Sequence, residues 1–222
     1  MCGRKTLTED MQSIIEELAI QEWEDPDNYL PSYNIAPTQT SPILIDDVSR
    51  RVKPMRWGLI PHWSKDMSFG ARMINARAET IQEKPSFRNL LPNKRCIVIT
   101  DGYYEWRKTG TGKQPYYIHH PEGRLLPMAG LWDRWLNQEG KPILSYTVIT
   151  TTPQSELAFI HDRMPVILGP ENLDKWLQTS NNPPPSVLTL LKPFSGLLEA
   201  FPVSNTVNSP ANNGPICNQE LS

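Results

Sequence analysis

Cysteine is scarce in this chain of 222 residues: Cys2, Cys96 and Cys217 stand far apart. Three scattered thiols build neither a disulfide framework nor a cysteine-rich zinc site. The four histidines (62, 119, 120 and 161) show no zinc-like pairing with them, so neither a metal nor an organic cofactor is expected. No run of 18 apolar residues occurs, which excludes a membrane-spanning helix of the usual length. The N-terminal MCGRKTLTEDMQ lacks an apolar stretch behind its basic residues, so no secretory signal is read there. These absences together predict a cytoplasmic protein in a reducing compartment. Proline, by contrast, is plentiful: 22 residues, about twice the usual ~5%. Each interior proline removes a helix hydrogen bond and clashes with the preceding turn, which argues against a helical bundle.

The formal net charge is only −2, but it is unevenly distributed. Residues 1–49 carry 2 Lys/Arg against 10 Asp/Glu, residues 50–113 carry 14 against 5, and residues 114–222 carry 6 against 9. The central basic block also contains Trp57, Trp63, Phe69 and Trp106. Cations that follow phosphates and rings that take unstacked bases are the means of single-strand binding. Solvated strand edges give the same composition, so charge alone leaves both readings open.

Thr8 is placed to cap an amphipathic helix over 8–22, with Met11, Ile14, Ile15 and Leu18 on one stripe. A Pro/Asn/Asp-rich loop follows over 24–42. Short β-like runs then alternate with turns: PILID, RVKPMRW, RCIVIT, GYYEW, PYYIHH, LPMAGLW and SYTVIT. KTGTGK and HPEGR read as hairpin tips. Helices are predicted near 154–159, 171–178 behind Pro170, and 186–191. The predicted fold is a single α+β domain over 1–208 with an antiparallel, barrel-like β core flanked by helices. Residues 209–222 are expected to form a loose tail.

Cys2 is the residue with most chemistry to offer. Removal of an initiator Met before so small a residue would leave a free α-amine and a thiol on adjacent carbons. An α-amine titrates near 7.7–8.0, so at pH 7 a far larger fraction is neutral than of a lysine. Such an amine attacks an aldehyde to give a Schiff base. The neighbouring thiol can then close onto the imine carbon at high effective molarity, giving a thiazolidine. Glu105 lies within an aromatic run, where it either faces solvent or occupies a low-dielectric pocket with a raised pKa. His161 in HDRMP titrates near neutrality, or belongs to an ordinary polar turn. In INARAET, Asn75, Arg77 and Glu79 share one face if the segment is extended.

Met-Cys-Gly-Arg at the start, then YNIAPTQ, WGLIPHW, INARAET, DGYYEW, HDRMP and PVSNTVN in this order, resemble the SOS response-associated peptidase (SRAP) family over roughly 1–208. Lys5 departs from the pattern, which more usually has an aromatic residue there. The resemblance implies a DNA-repair protein that binds single-stranded DNA and captures abasic sites covalently. It implies Cys2 as the crosslinking nucleophile and Asn75 as the residue orienting it. Glu105 would shuttle protons, and His161 would act on the sugar hydroxyl released on ring opening. Arg4, Arg77 and Arg163 are candidates for phosphate contacts, and Trp63 and Pro37 for stacking or wedging at the lesion. The family name implies a peptidase-like activity, read as self-removal of Met1. A monomer is expected, nucleoid-associated if the source is bacterial. Two alternatives stand beside covalent capture. One is a thiol peptidase with Cys2, His161 and Glu105 as nucleophile, base and orienter. The other is a non-covalent reader of single-stranded or modified DNA.

Overall fold

The structure, a computed structural model, describes residues 2–221; Met1 and Ser222 lie outside the described residues, and with them the expected removal of Met1. In chain order the strands are β1 (Arg4–Leu7), β2 (Glu22–Trp23), β3 (Ser32–Ile35), β4 (Thr40–Asp46), β5 (Arg50–Trp57), β6 (Asn75–Arg77) and β7 (Arg95–Val98). β8 (Gly102–Thr109), β9 (Gly112–His119), β10 (Met128–Leu136), β11 (Pro142–Thr151), β12 (Met164–Pro165) and β13 (Glu199–Pro202) follow. The helices are α1 (Met11–Leu18), α2 (Pro85–Arg88), α3 (Pro170–Leu177) and α4 (Pro184–Val187).

β11, β10, β7, β4 and β5 pair antiparallel in that order. β5 then returns to β11 through a parallel contact, Ser145 opposite Arg56 and Tyr146 opposite Trp57. Five strands thus close on themselves, which removes exposed edges. A second sheet, in the order β13-β9-β8-β1-β3, packs against this barrel. One continuous apolar core joins the two, running from Leu7, Tyr103 and Ile118 to Trp57, Ile97, Leu131 and Tyr146. The α+β fold with a mainly antiparallel, barrel-like core is the one read from the sequence, and all seven predicted β runs are strands.

Several expectations are corrected. α1 begins at Met11 because Asp10, not Thr8, caps it, accepting the Ser13 N–H at 3.0 Å. Thr8 instead donates its hydroxyl to Asp101 at 2.7 Å, tying the helix entry to the turn before β8. α1 ends at Leu18, where Ala19 turns left-handed, and Gln21 donates its N–H to Arg50 O at 2.8 Å as the chain enters the barrel sheet. β3 forms inside the expected loop, paired with β1. HPEGR is not a hairpin tip: β9 and β10, on either side of it, belong to different sheets. The segment 154–159 is only a short 3-10 turn, Ser155–Leu157.

The C-terminal stretch is not loose over 209–221. Cys217 is fully buried, and Leu221 donates its N–H to Pro202 O at 2.9 Å. The Asn34 side-chain amide donates to the carbonyls of Val207, Ser209 and Asn212, and Asn213 Oδ1 accepts the Tyr33 N–H at 2.7 Å. Polar bonds to two asparagines hold this segment, and a composition poor in large apolar residues does not reveal them.

Candidate active site

The site grows out of strand alternation. Successive side chains on β8 point to opposite faces. Tyr103 therefore enters the main core, while Tyr104 joins a smaller cluster with Tyr117, Val203, Val207 and Cys217. Glu105 follows Tyr103 inward and is only 2% exposed. Of the two environments open to this carboxyl, the structure has the low-dielectric one. Burial removes the hydration that favours the carboxylate and pushes its pKa up to about 7.

Cys2 precedes β1 and lies wholly inside the same core. Its thiol is pushed up to about 12, first by burial and then by the negative charge of Glu105, with the Lys5 cation opposing. The two groups are thus electrostatically coupled. Asn75 opens β6, which runs parallel to β11 with Val148 opposite Asn75. Its Nδ2 donates to the Cys2 carbonyl at 2.9 Å. Its Oδ1 is buried and has no hydrogen-bond partner among the described residues. Asn75 therefore fixes Cys2 with one end and offers an acceptor with the other.

His161 follows the Ser155–Leu157 turn, and its Nδ1 accepts the Arg163 N–H at 3.0 Å. That bond assigns the proton of the neutral ring to Nε2. Asp162 Oδ1 lies 2.9 Å from the same Nδ1, a contact that becomes attractive only on protonation. Burial lowers the His161 pKa, so the neutral ring prevails near pH 7. His161 and Glu105 line one cavity of about 590 Å³, together with Arg107, Lys108, Lys113 and Phe159. No motif in the sequence singles out these last four: Lys108 and Lys113 bound KTGTGK, which reads as a hairpin tip, and Arg107 and Phe159 lie outside it.

Residues 1–210 match the SOS response associated peptidase (SRAP) family. The chain belongs to that family. It is similar to abasic site processing protein YoqW of Bacillus subtilis, at 46% identity over 97% of each chain. It is also similar to abasic site processing protein HMCES of Gallus gallus, at 38% identity over 88% of this chain and 68% of that one. A solved structure of a Bacteroides thetaiotaomicron protein superposes with a TM-score of 0.88 at 32% identity, over the whole of both chains.

Within this SRAP chain the candidate nucleic-acid residues fall into two groups. Arg4 donates to Asn34 Oδ1 at 2.8 Å and to the carbonyls of Val207 and Asn208, so it holds the PVSNTVN segment. Arg163 pairs with both oxygens of Glu79 at 2.7 and 2.9 Å and donates to Thr150 O. Both guanidinium groups bind the protein itself. Arg77 and Trp63 are exposed, with Trp63 edge-on to Phe69 at 5.5 Å, and Pro37 is half-buried. Glu79 leaves the face of Asn75 and Arg77 because the strand turns into a 3-10 helix at Ala78. Trp57 is no base platform: it is fully buried and stacks on Tyr146. Lys5, the departure from the family pattern, is fully buried beside Leu7 on the inward face of β1. It donates to Ile99 O at 3.1 Å, and burial pushes its pKa down to about 8. No helix among the described residues is long and apolar enough to cross a membrane, and no group of three His, Cys, Asp or Glu side chains among them could hold a metal ion.

Proposed function

We propose that this protein processes abasic sites in single-stranded DNA by capturing them covalently through the amine and thiol of Cys2. The observation that carries the reading is Cys2 held at its carbonyl by Asn75 and electrostatically coupled to a buried Glu105. With Met1 removed, the α-amine of Cys2 attacks C1′ of the open sugar aldehyde. The aldehyde oxygen leaves as water carrying both protons of the amine, one passed directly and one exchanged through Glu105, whose pKa of about 7 suits it both to give and to accept one. The thiol then adds to the imine carbon. Its proton passes through Glu105 to the nitrogen as the S–C1′ bond forms, leaving a thiazolidine. A thiol held near 12 does not ionise by itself at neutral pH, so this transfer needs a base at hand. The Nε2–H of His161 serves the sugar hydroxyl released on ring opening, and the open Oδ1 of Asn75 accepts from the Cys2 amine or the opened sugar.

An abasic nucleotide enters the cavity without the unstacking cost of a normal base. Arg77 supplies a phosphate contact, Trp63 and Pro37 meet the strand at the lesion, and Arg4 and Arg163 brace the segments they bind. The peptidase activity in the family name is read as hydrolytic self-removal of Met1, the step that frees the aminothiol. The protein acts as a cytoplasmic monomer on this reading. Incubation with an abasic oligonucleotide followed by a denaturing gel tests it. A shifted band with wild type that is absent with Cys2→Ala supports covalent capture; no band, or an equal band with both, counts against it.

A further inference from the structure

One wall of the cavity that Glu105 and His161 line is unused by the mechanism above. Phe159 is 50% exposed, although its ring meets Tyr116 edge-on at 5.6 Å and carries the Arg107 guanidinium over it at 5.4 Å. Lys108 and Lys113 stand directly opposite each other across the β8–β9 hairpin. Like charges so placed destabilise a strand pair. Neither lysine makes an ion pair among the described residues, and both lie close enough to His161 to depress its basicity. Among the described residues, Asp162 is the only exposed carboxylate lining the cavity. An exposed ring with a cation over it, beside two uncompensated lysines, has the chemistry of a nucleotide seat: a face for a base and charge for a phosphate.

We infer that this wall binds the nucleotide next to the lesion, its base stacked against Phe159 and Arg107 and its phosphate between Lys108 and Lys113. The inference rests on the abasic-strand reading and adds to it a side: only one of the two flanks of the lesion reaches the hairpin. The bound phosphate relieves the repulsion between the two lysines. It also draws the strand along β8, whose inward face carries Glu105.

The test measures equilibrium binding of fluorescent oligonucleotides to the full chain, wild type against Phe159→Ala, Phe159→Leu and Lys108→Gln/Lys113→Gln. Phe159→Leu keeps the apolar contact with Tyr116 and removes the ring, so it separates stacking from packing. With an internal abasic site, both Phe159 variants lose about 5- to 100-fold in affinity, the range for one base–aromatic stack. The double lysine variant lowers the slope of log K against log salt by about 0.7, the value of one phosphate contact. With the abasic site moved to one terminus the Phe159 penalty disappears, and with it moved to the other terminus the penalty remains. Unchanged affinity for the internal site, or an equal penalty at both termini, overturns the inference. Crosslinking by wild type, scored on the same oligonucleotides, is read separately: its absence tells against the covalent reading and leaves the binding comparison intact.

Discussion

Glu105 has the clearest consequence of any single side chain. Its carboxyl titrates near 7 instead of near 4.5, because burial disfavours the charged form. If it removes the thiol proton, the crosslinking rate rises with pH through about 7 as the carboxylate accumulates. Glu105→Gln flattens that limb while undamaged single strands still bind, and rate–pH profiles of both proteins decide it. The same displacement has a thermodynamic side. A raised carboxyl pKa favours the folded state where the group is protonated. The contribution is complete below about 4.5 and lost as pH climbs through about 7. Glu105→Gln should therefore lose less stability than wild type between pH 5 and pH 8, by up to about 3 kcal/mol, read from urea midpoints. Asn75→Ala removes the donor to the Cys2 carbonyl and should slow crosslinking by about tenfold, the worth of one such bond. Cys2, Asn75, Glu105 and His161 were nameable from motifs in the sequence. Their environment was not: whether Glu105 faced solvent or core depended on which side of β8 met the barrel.

Among the elements, the loop after β5 shows how backbone geometry presents the exposed aromatic residues. Gly58 has φ +112°, and a Cβ there would lie 2.5 Å from the Gly70 carbonyl oxygen. This close approach pins the two ends of the segment that carries Trp63 and Phe69. Gly58→Ala therefore meets strain and a backbone clash together, and should destabilise the fold by at least about 1–3 kcal/mol in equilibrium unfolding. Seven strands are legible because each is a short β-like run bounded by turn residues, whether buried on one face or on both. α1 is shorter than its apolar periodicity suggests because the parallel pairing of β2 with β5, a contact distant in sequence, takes over the chain after residue 20. β3 was hidden for a similar reason: four residues in a polar, proline-rich stretch become a strand only when β1 lies beside them. Two of the three arginine candidates also separate by experiment. Arg77→Gln should lower the salt slope of DNA binding by about 0.7 and leave the melting temperature unchanged. Arg163→Gln should lower the melting temperature, since it breaks the clamp between Glu79 and Thr150.

At the scale of the whole molecule, the asymmetry of charge along the sequence is partly cancelled in space. Lys53 pairs with Glu24 and Arg51 with Asp47, joining the basic block to the acidic one before it. Arg95, from the same block, is buried under α3 with its donors on backbone carbonyls. Of the exposed cations of that block, Arg107, Lys108 and Lys113 line the cavity with Glu105 and His161, while Lys65, Arg72, Lys84 and Arg88 face solvent away from its lining. The account as a whole depends on Cys2 joining the strand as a freed N-terminal residue. Intact mass spectrometry of the product formed with an abasic oligonucleotide tests this most directly. The account predicts one adduct whose mass is that of the chain without Met1 plus the oligonucleotide, less one water. An adduct that keeps Met1, or one of the same yield from Cys2→Ala, would contradict it.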